Sequence, residues 1–203
     1  MGVGQSHKKK MNKLVLKILF FLLIFLPVNS EEKVKSIIDG NLDAKVNIII
    51  FESLTCSHCA NFHKDIFPKI KKQYIDQGLV SIEFKSFPLD LAAFNASKIA
   101  HCKNDGDSKI LHYLFLNQDD WVKGETIDQL NINLKTIVNK QNFDINFNKC
   151  LSNKKIEDHI LEDRINGVKK FEVNATPTII INNKKFDKPL NFKNLKKIIE
   201  KLI

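Results

Sequence analysis

Val46-Asn47-Ile48-Ile49-Ile50-Phe51-Glu52-Ser53-Leu54-Thr55-Cys56-Ser57-His58-Cys59-Ala60-Asn61-Phe62 joins a short apolar run to two cysteines and then to the start of a helical pattern. Residues 46–51 are β-rich and long enough for one buried strand. After Cys59, the apolar residues Phe62, Ile66, Phe67, Ile70 and Tyr74 recur at spacings of three and four, which puts one apolar stripe on a helix. Gln77-Gly78 is a usual ending for such a helix. Val80, Ile82 and Phe84 then alternate in a second strand over 79–84. Strand, helix and strand in succession predict a βαβ unit with a right-handed crossover.

Pro88 closes that unit. Residues 89–167 offer no strand pattern but several helical stretches, at 91–103, 109–116, 127–139 and 154–171. Strand character returns in Thr178-Ile179-Ile180-Ile181. Asn182-Asn183 then suits a two-residue hairpin turn, because Asn tolerates positive φ. A partner strand at 184–186 and a helix from Leu190, with Leu195, Ile198, Ile199 and Leu202 on one face, complete the chain. The reading is an α/β domain divided by an all-helical insert, with segments 31–90, 91–166 and 167–203. At 203 residues the chain can bury a core, and its 43% hydrophobic and 27% charged composition is that of a globular protein.

The net charge of +9 has a local origin. Lys8, Lys9, Lys10, Lys13 and Lys17 precede Glu31, and no acidic residue does. Without them 27 basic residues face 23 acidic ones, which leaves +4 and no footprint for nucleic acid. A basic run followed by an apolar stretch over 18–28 reads as an export signal for residues 1–30, cleaved before Glu31 after Val28-Asn29-Ser30. Met11 is an alternative start, and an uncleaved membrane anchor is the alternative to cleavage. Export places the chain in the periplasm or an equivalent oxidising compartment, where four cysteines suggest disulfides.

Those cysteines form two unlike pairs. Cys56 and Cys59 stand between the first strand and the first helix. A thiol there faces unpaired backbone N–H groups and the positive end of the helix dipole, both of which favour the thiolate. His58 would stabilise it further as a hydrogen-bond donor. A stabilised thiolate is a good leaving group, so the disulfide becomes a stronger oxidant. Cys56 is thus the candidate nucleophile and Cys59 the resolving thiol. Cys102 and Cys150 lie towards the two ends of the helical insert, where a bridge would tie its outer helices together. A structural disulfide is the expectation for them, with a second, regulatory redox pair as the alternative.

Ser53–His63, Phe87-Pro88-Leu89-Asp90, and Gly167-Val168 with Ala175-Thr176-Pro177-Thr178 together resemble the DsbA family of periplasmic dithiol oxidases. The resemblance covers roughly residues 40 to 203. It implies a thioredoxin-like fold interrupted by the helical insert, Cys56 as nucleophile, Cys59 as resolving thiol and His58 as tuning residue. It also implies a cis bond before Pro177, with the Thr176 backbone beside the sulfurs as a substrate-binding edge. No cofactor is implied. The partners implied are reduced, unfolded or folding exported proteins, and a membrane redox protein of the DsbB type. Two positions depart from the family. Ser57 stands where proline is usual, which leaves the redox poise open. Ile50 stands where many relatives carry a buried acid, and Glu52 shares its face only if the strand stays regular to that point.

Rival readings use the same residues. Within the fold, the chain could be a reductase or isomerase kept reduced by a membrane partner. In another class, Cys56 and Cys59 could hold copper or zinc in a metallochaperone. A structural zinc site needs four ligands, and there is no second CxxC and no well-spaced histidine pair, so no metal site is expected. Phe62 reads as core, with His63 a candidate for a substrate groove. Trp121 is placed in a loop as a packed cap on the insert.

Overall fold

Strand β2 (Val46–Glu52) is the centre of a five-stranded sheet. The computed structural model describes residues 33–203 together with Met1 and Gly2. The expected export segment, its cleavage before Glu31 and the alternative start at Met11 lie outside the described residues. Among the described residues no helix is long and apolar enough to cross a membrane. β2 pairs in parallel with β3 (Val80–Ser86), as the βαβ reading requires, with Ile50 opposite Phe84 and Glu52 opposite Ser86. β4 (Thr178–Ile181) lies antiparallel on the other side of β2. β5 (Lys184–Lys185) extends that edge through Asn182 and Asn183, both at positive φ, the backbone that a tight hairpin turn needs. β1 (Ile37–Asp39) closes the opposite edge, antiparallel to β3. The order is β1-β3-β2-β4-β5.

The first helix is continuous but not regular. It runs as α1 (Ser57–Asn61), a wide π-helical turn (Phe62–Ile66), α2 (Phe67–Ile70) and a second π-helical turn (Lys71–Ile75). Pro68 sits in α2 without an N–H to donate, so the ordinary ladder cannot run unbroken through it. Each wide turn inserts a residue into the helical count and re-aims the side chains beyond it. The apolar stripe survives, with Phe62, Phe67, Ile70, Tyr74 and Ile75 all buried.

Between β3 and β4 come α3 (Leu91–Ala100), α4 (Lys109–Leu116), α5 (Gln118–Trp121), α6 (Ile127–Gln141), α7 (Phe147–Leu151) and α8 (Lys154–Phe171). The boundary drawn at 166/167 falls inside α8. Trp121 stands in a short helix, not a loop; it is fully buried and donates its indole N–H to the Leu114 carbonyl at 3.0 Å. α9 (Phe192–Leu202) ends the chain.

Alternation along β2 sorts the core. Val46, Ile48 and Ile50 join the main cluster with Phe62, Ile70, Leu195 and Ile199 and with the insert residues Phe115 and Leu134. The opposite face carries Phe51, Ile180 and Val173 with Phe171 from the end of α8. There Gly167 approaches so closely that a Cβ would lie 2.8 Å from the Phe51 ring. Glu172 then ends α8 in the left-handed conformation.

Candidate active site

The turn from β2 into α1 places Cys56 as the N-cap of the helix. Its sulfur accepts from the Cys59 N–H at 3.4 Å, doing what a capping oxygen does elsewhere. When protonated, the same thiol donates to the Thr176 carbonyl, also at 3.4 Å. The Cys59 thiol hydrogen-bonds the Cys56 sulfur, and the backbone N–H groups of Cys59 and His58 add to it. Against the opposing effect of burial, these hold the Cys56 pKa down to about 5. Cys59 is buried, and burial, its bond to Cys56 and the charge of Glu52 push its thiol far above the usual range. One sulfur is therefore a partly exposed thiolate and the other a buried thiol.

Thr176 and Pro177 are joined by a cis peptide bond next to the pair. They line an open groove of about 570 Å³ with His58, Phe62, Leu190 and Phe192. His58 is exposed; its backbone N–H bears on Cys56, and the residue lines this groove. His63 belongs elsewhere. Expected as a groove candidate, it is buried, because the wide turn at Phe62–Ile66 aims it at the sheet. Cys102 and Cys150 are joined by a disulfide that ties the end of α3 to α7. The free pair Cys56 and Cys59 lies apart in the βαβ unit.

Two features of the site were not assigned from sequence. β2 stays regular to its end, so Glu52 follows Ile50 on the same face and is buried beneath the cysteines. Its Oε2 lies 2.8 Å from His63 Nε2, and burial pushes its pKa well above the usual carboxylate value. The strand's alternation was the available signal: the sequence places Glu52 on the Ile50 face on condition that the strand stays regular, and it does. Burial in turn holds the His63 pKa down to about 3, so the ring is neutral. The second feature is Gln118 on α5, whose side-chain amide donates to the Leu54 carbonyl at 2.8 Å and the Cys56 carbonyl at 3.1 Å. The helical insert thereby clamps the turn that carries the nucleophile, a contact across more than sixty residues that no local pattern announces.

Among the described residues one group has metal-ligand chemistry: His101, His159 and Asp163, with ligating atoms within 4.8 Å of one another. Asp163 already accepts from Lys85 Nζ at 3.0 Å and the Ser86 N–H at 3.3 Å. A cation beside the only carboxylate opposes a second one, and the group lacks a fourth ligand.

A stabilised thiolate at a helix start, a buried partner thiol two residues on and a proline-bearing loop across the cleft define a thioredoxin-fold protein with a dithiol centre. The family model described as Thioredoxin matches residues 32–201. Among solved structures, alpha-DsbA1 of Wolbachia pipientis is 30% identical, with a TM-score of 0.73 over 89% of this chain and 94% of that one. BdbD of Bacillus subtilis is 26% identical, with a TM-score of 0.67 over 84% and 98%. The B. subtilis protein named Disulfide bond formation protein D is 30% identical over 176 residues, covering 80% of this chain and 74% of that protein. The chain therefore belongs to the thioredoxin family, in its DsbA-like branch. A Rickettsia bellii protein whose name assigns it provisionally as a protein-disulfide oxidoreductase is 30% identical over 147 residues. Here the match spans 70% of this chain but 55% of the relative, so the chain spans about half the length of the rickettsial relatives.

Proposed function

We propose that the chain is an exported protein thiol:disulfide oxidoreductase that works as a dithiol oxidase, introducing disulfides into folding proteins through Cys56 and Cys59. The observation that carries this reading is the contrast between the two sulfurs, a Cys56 thiolate with a pKa of about 5 above a buried Cys59 thiol. Stabilising the reduced form in this way makes the disulfide form the better oxidant. A substrate thiolate attacks the exposed sulfur, Cys56, and forms a mixed disulfide as Cys59 departs. A second substrate thiol then attacks the substrate sulfur, releasing oxidised substrate and reduced protein. The groove beside His58, Thr176 and Pro177 is the surface offered to an extended substrate segment. The same contrast tells against a metallochaperone, since a thiol kept protonated by burial is a poor metal ligand. Reduced protein needs reoxidation, and a membrane protein of the DsbB type is the partner proposed for it.

Trapping tests the assignment. In the full chain, Cys59→Ala should form a mixed disulfide at Cys56 when treated with excess oxidised glutathione, and Cys56→Ala should form none. A mixed disulfide at Cys59 in the Cys56 variant, formed as fast as in the parent, would contradict it.

A further inference from the structure

α9 packs Leu195 and Ile199 into the core and turns a row of lysines outward. Lys193, Lys197 and Lys201 recur every four residues, so they share one face of the helix over about 12 Å of its length. All three are exposed. The one carboxylate of the helix is committed elsewhere: Glu200 Oε1 lies 3.5 Å from Lys196 Nζ and accepts from the Tyr74 hydroxyl at 3.4 Å. Among the described residues no carboxylate pairs with Lys193, Lys197 or Lys201.

This row works against the helix that carries it. Like charges four residues apart on a helix repel. Lys193 also stands in the first turn, at the positive end of the helix dipole, where no acidic residue offsets it. The imbalance extends beyond the helix. Residues 184–201 hold seven lysines against two acidic residues, whereas residues 33–183 are nearly neutral, with 20 basic and 19 acidic. The positive charge of residues 33–203 is therefore gathered on β5, the turn after it and α9. An unpaired row that costs the helix stability is neutralised by anions from outside.

The residue type defines those anions. Lysine is a hydrated point charge without the planar fork by which arginine grips a single phosphate or carboxylate. Evenly spaced lysines on one helix face respond to charge density rather than to the shape of one ligand. We propose that this face docks on an anionic phospholipid bilayer, whose headgroups can gather beneath each lysine. A lysine brought to such a surface strengthens binding about fivefold. The groove lies at the same end of α9: Leu190, Asn191 and Phe192 line it, and Lys193 is the next residue. Docking thus holds the groove beside the bilayer, where, on the function proposed above, exported chains and a membrane redox partner are met. The docking itself does not depend on that function, because no lysine of the row takes part in thiol chemistry.

Lysine footprinting of the full chain tests the face. The chain is mixed with vesicles of phosphatidylglycerol and phosphatidylcholine, acetylated briefly with an N-hydroxysuccinimide ester, and read lysine by lysine by mass. Lys123, Lys140 and Lys149, exposed on the helical insert, serve as the reference. Labelling of Lys193, Lys197 and Lys201 should fall about fivefold relative to those three, the scale of one lysine at the surface. The protection should vanish on phosphatidylcholine alone, and in about 1 M salt, where charges are screened within about 3 Å. Each lysine is read separately, so binding through another part of the chain does not imitate the result. Equal labelling of the row and the reference lysines, or equal protection on neutral vesicles, would overturn the docking face. Protection by a polyglutamate peptide with none by the vesicles would overturn it in favour of an acidic protein partner.

Discussion

Cys56 is set by its immediate neighbours, and its titration reports them directly. The folded pKa is lowered from 9.0 to about 5. The thiolate therefore persists as pH falls from the ordinary thiol range to about 5, and the stability it lends the reduced form, complete only above the unfolded value, is lost through that lower point. Alkylation of the reduced chain by iodoacetamide should accordingly show a midpoint near pH 5 at Cys56 and little reaction at buried Cys59. A midpoint near the free-thiol value of about 8.5 would contradict the assigned contacts. Cys56, Cys59, Thr176 and Pro177 were legible in sequence because their chemistry depends on two-residue spacing and on position at the end of an element. Glu52 was harder to place, because a carboxylate is assigned inward only when strand regularity is known. Gln118 was out of reach, since its partners lie far away along the chain.

At the scale of elements, the long periodic segments read well and the short ones did not. β2, β3 and α8 carry enough apolar positions to declare their period, and four-residue β4 was marked instead by its β-branched run between Pro177 and the Asn182-Asn183 turn, whereas β1, α5 and α7 span three to five residues and hold less than two turns of pattern. The wide turns around Pro68 also escaped, because i+3 and i+4 spacing does not report one added residue. α8 shows how tightly an element can be specified once packed. Its Gly167 lies against Phe51, whose ring sits between Phe87 and Phe171 at centroid distances of 6.5 and 5.9 Å and has nowhere to retreat. Gly167→Ala should cost about 1–3 kcal/mol through overpacking, despite the better helix propensity of Ala, as read by urea denaturation. A stabilised variant would show that α8 can shift outward from the sheet.

Across the whole molecule the helical insert is both scaffold and clamp, packing on the sheet core and holding the Cys56 turn through Gln118. The Cys102–Cys150 bridge closes a separation of 48 residues within it. Chain entropy alone assigns such a loop about 4 kcal/mol. Replacing both cysteines by Ala should lower unfolding free energy by about 2–4 kcal/mol while leaving the Cys56 titration midpoint in place; a moved midpoint would make the bridge a regulator of the centre instead. The central claim is that the fold stabilises reduced Cys56–Cys59 and so makes the disulfide oxidising. Its most direct measurement is the reduction potential of that pair, equilibrated against glutathione, with Cys102–Cys150 followed separately by mass. The account predicts a value near the strong dithiol oxidants, roughly −120 mV, and a value near roughly −270 mV, that of a thioredoxin-like reductant, would contradict it.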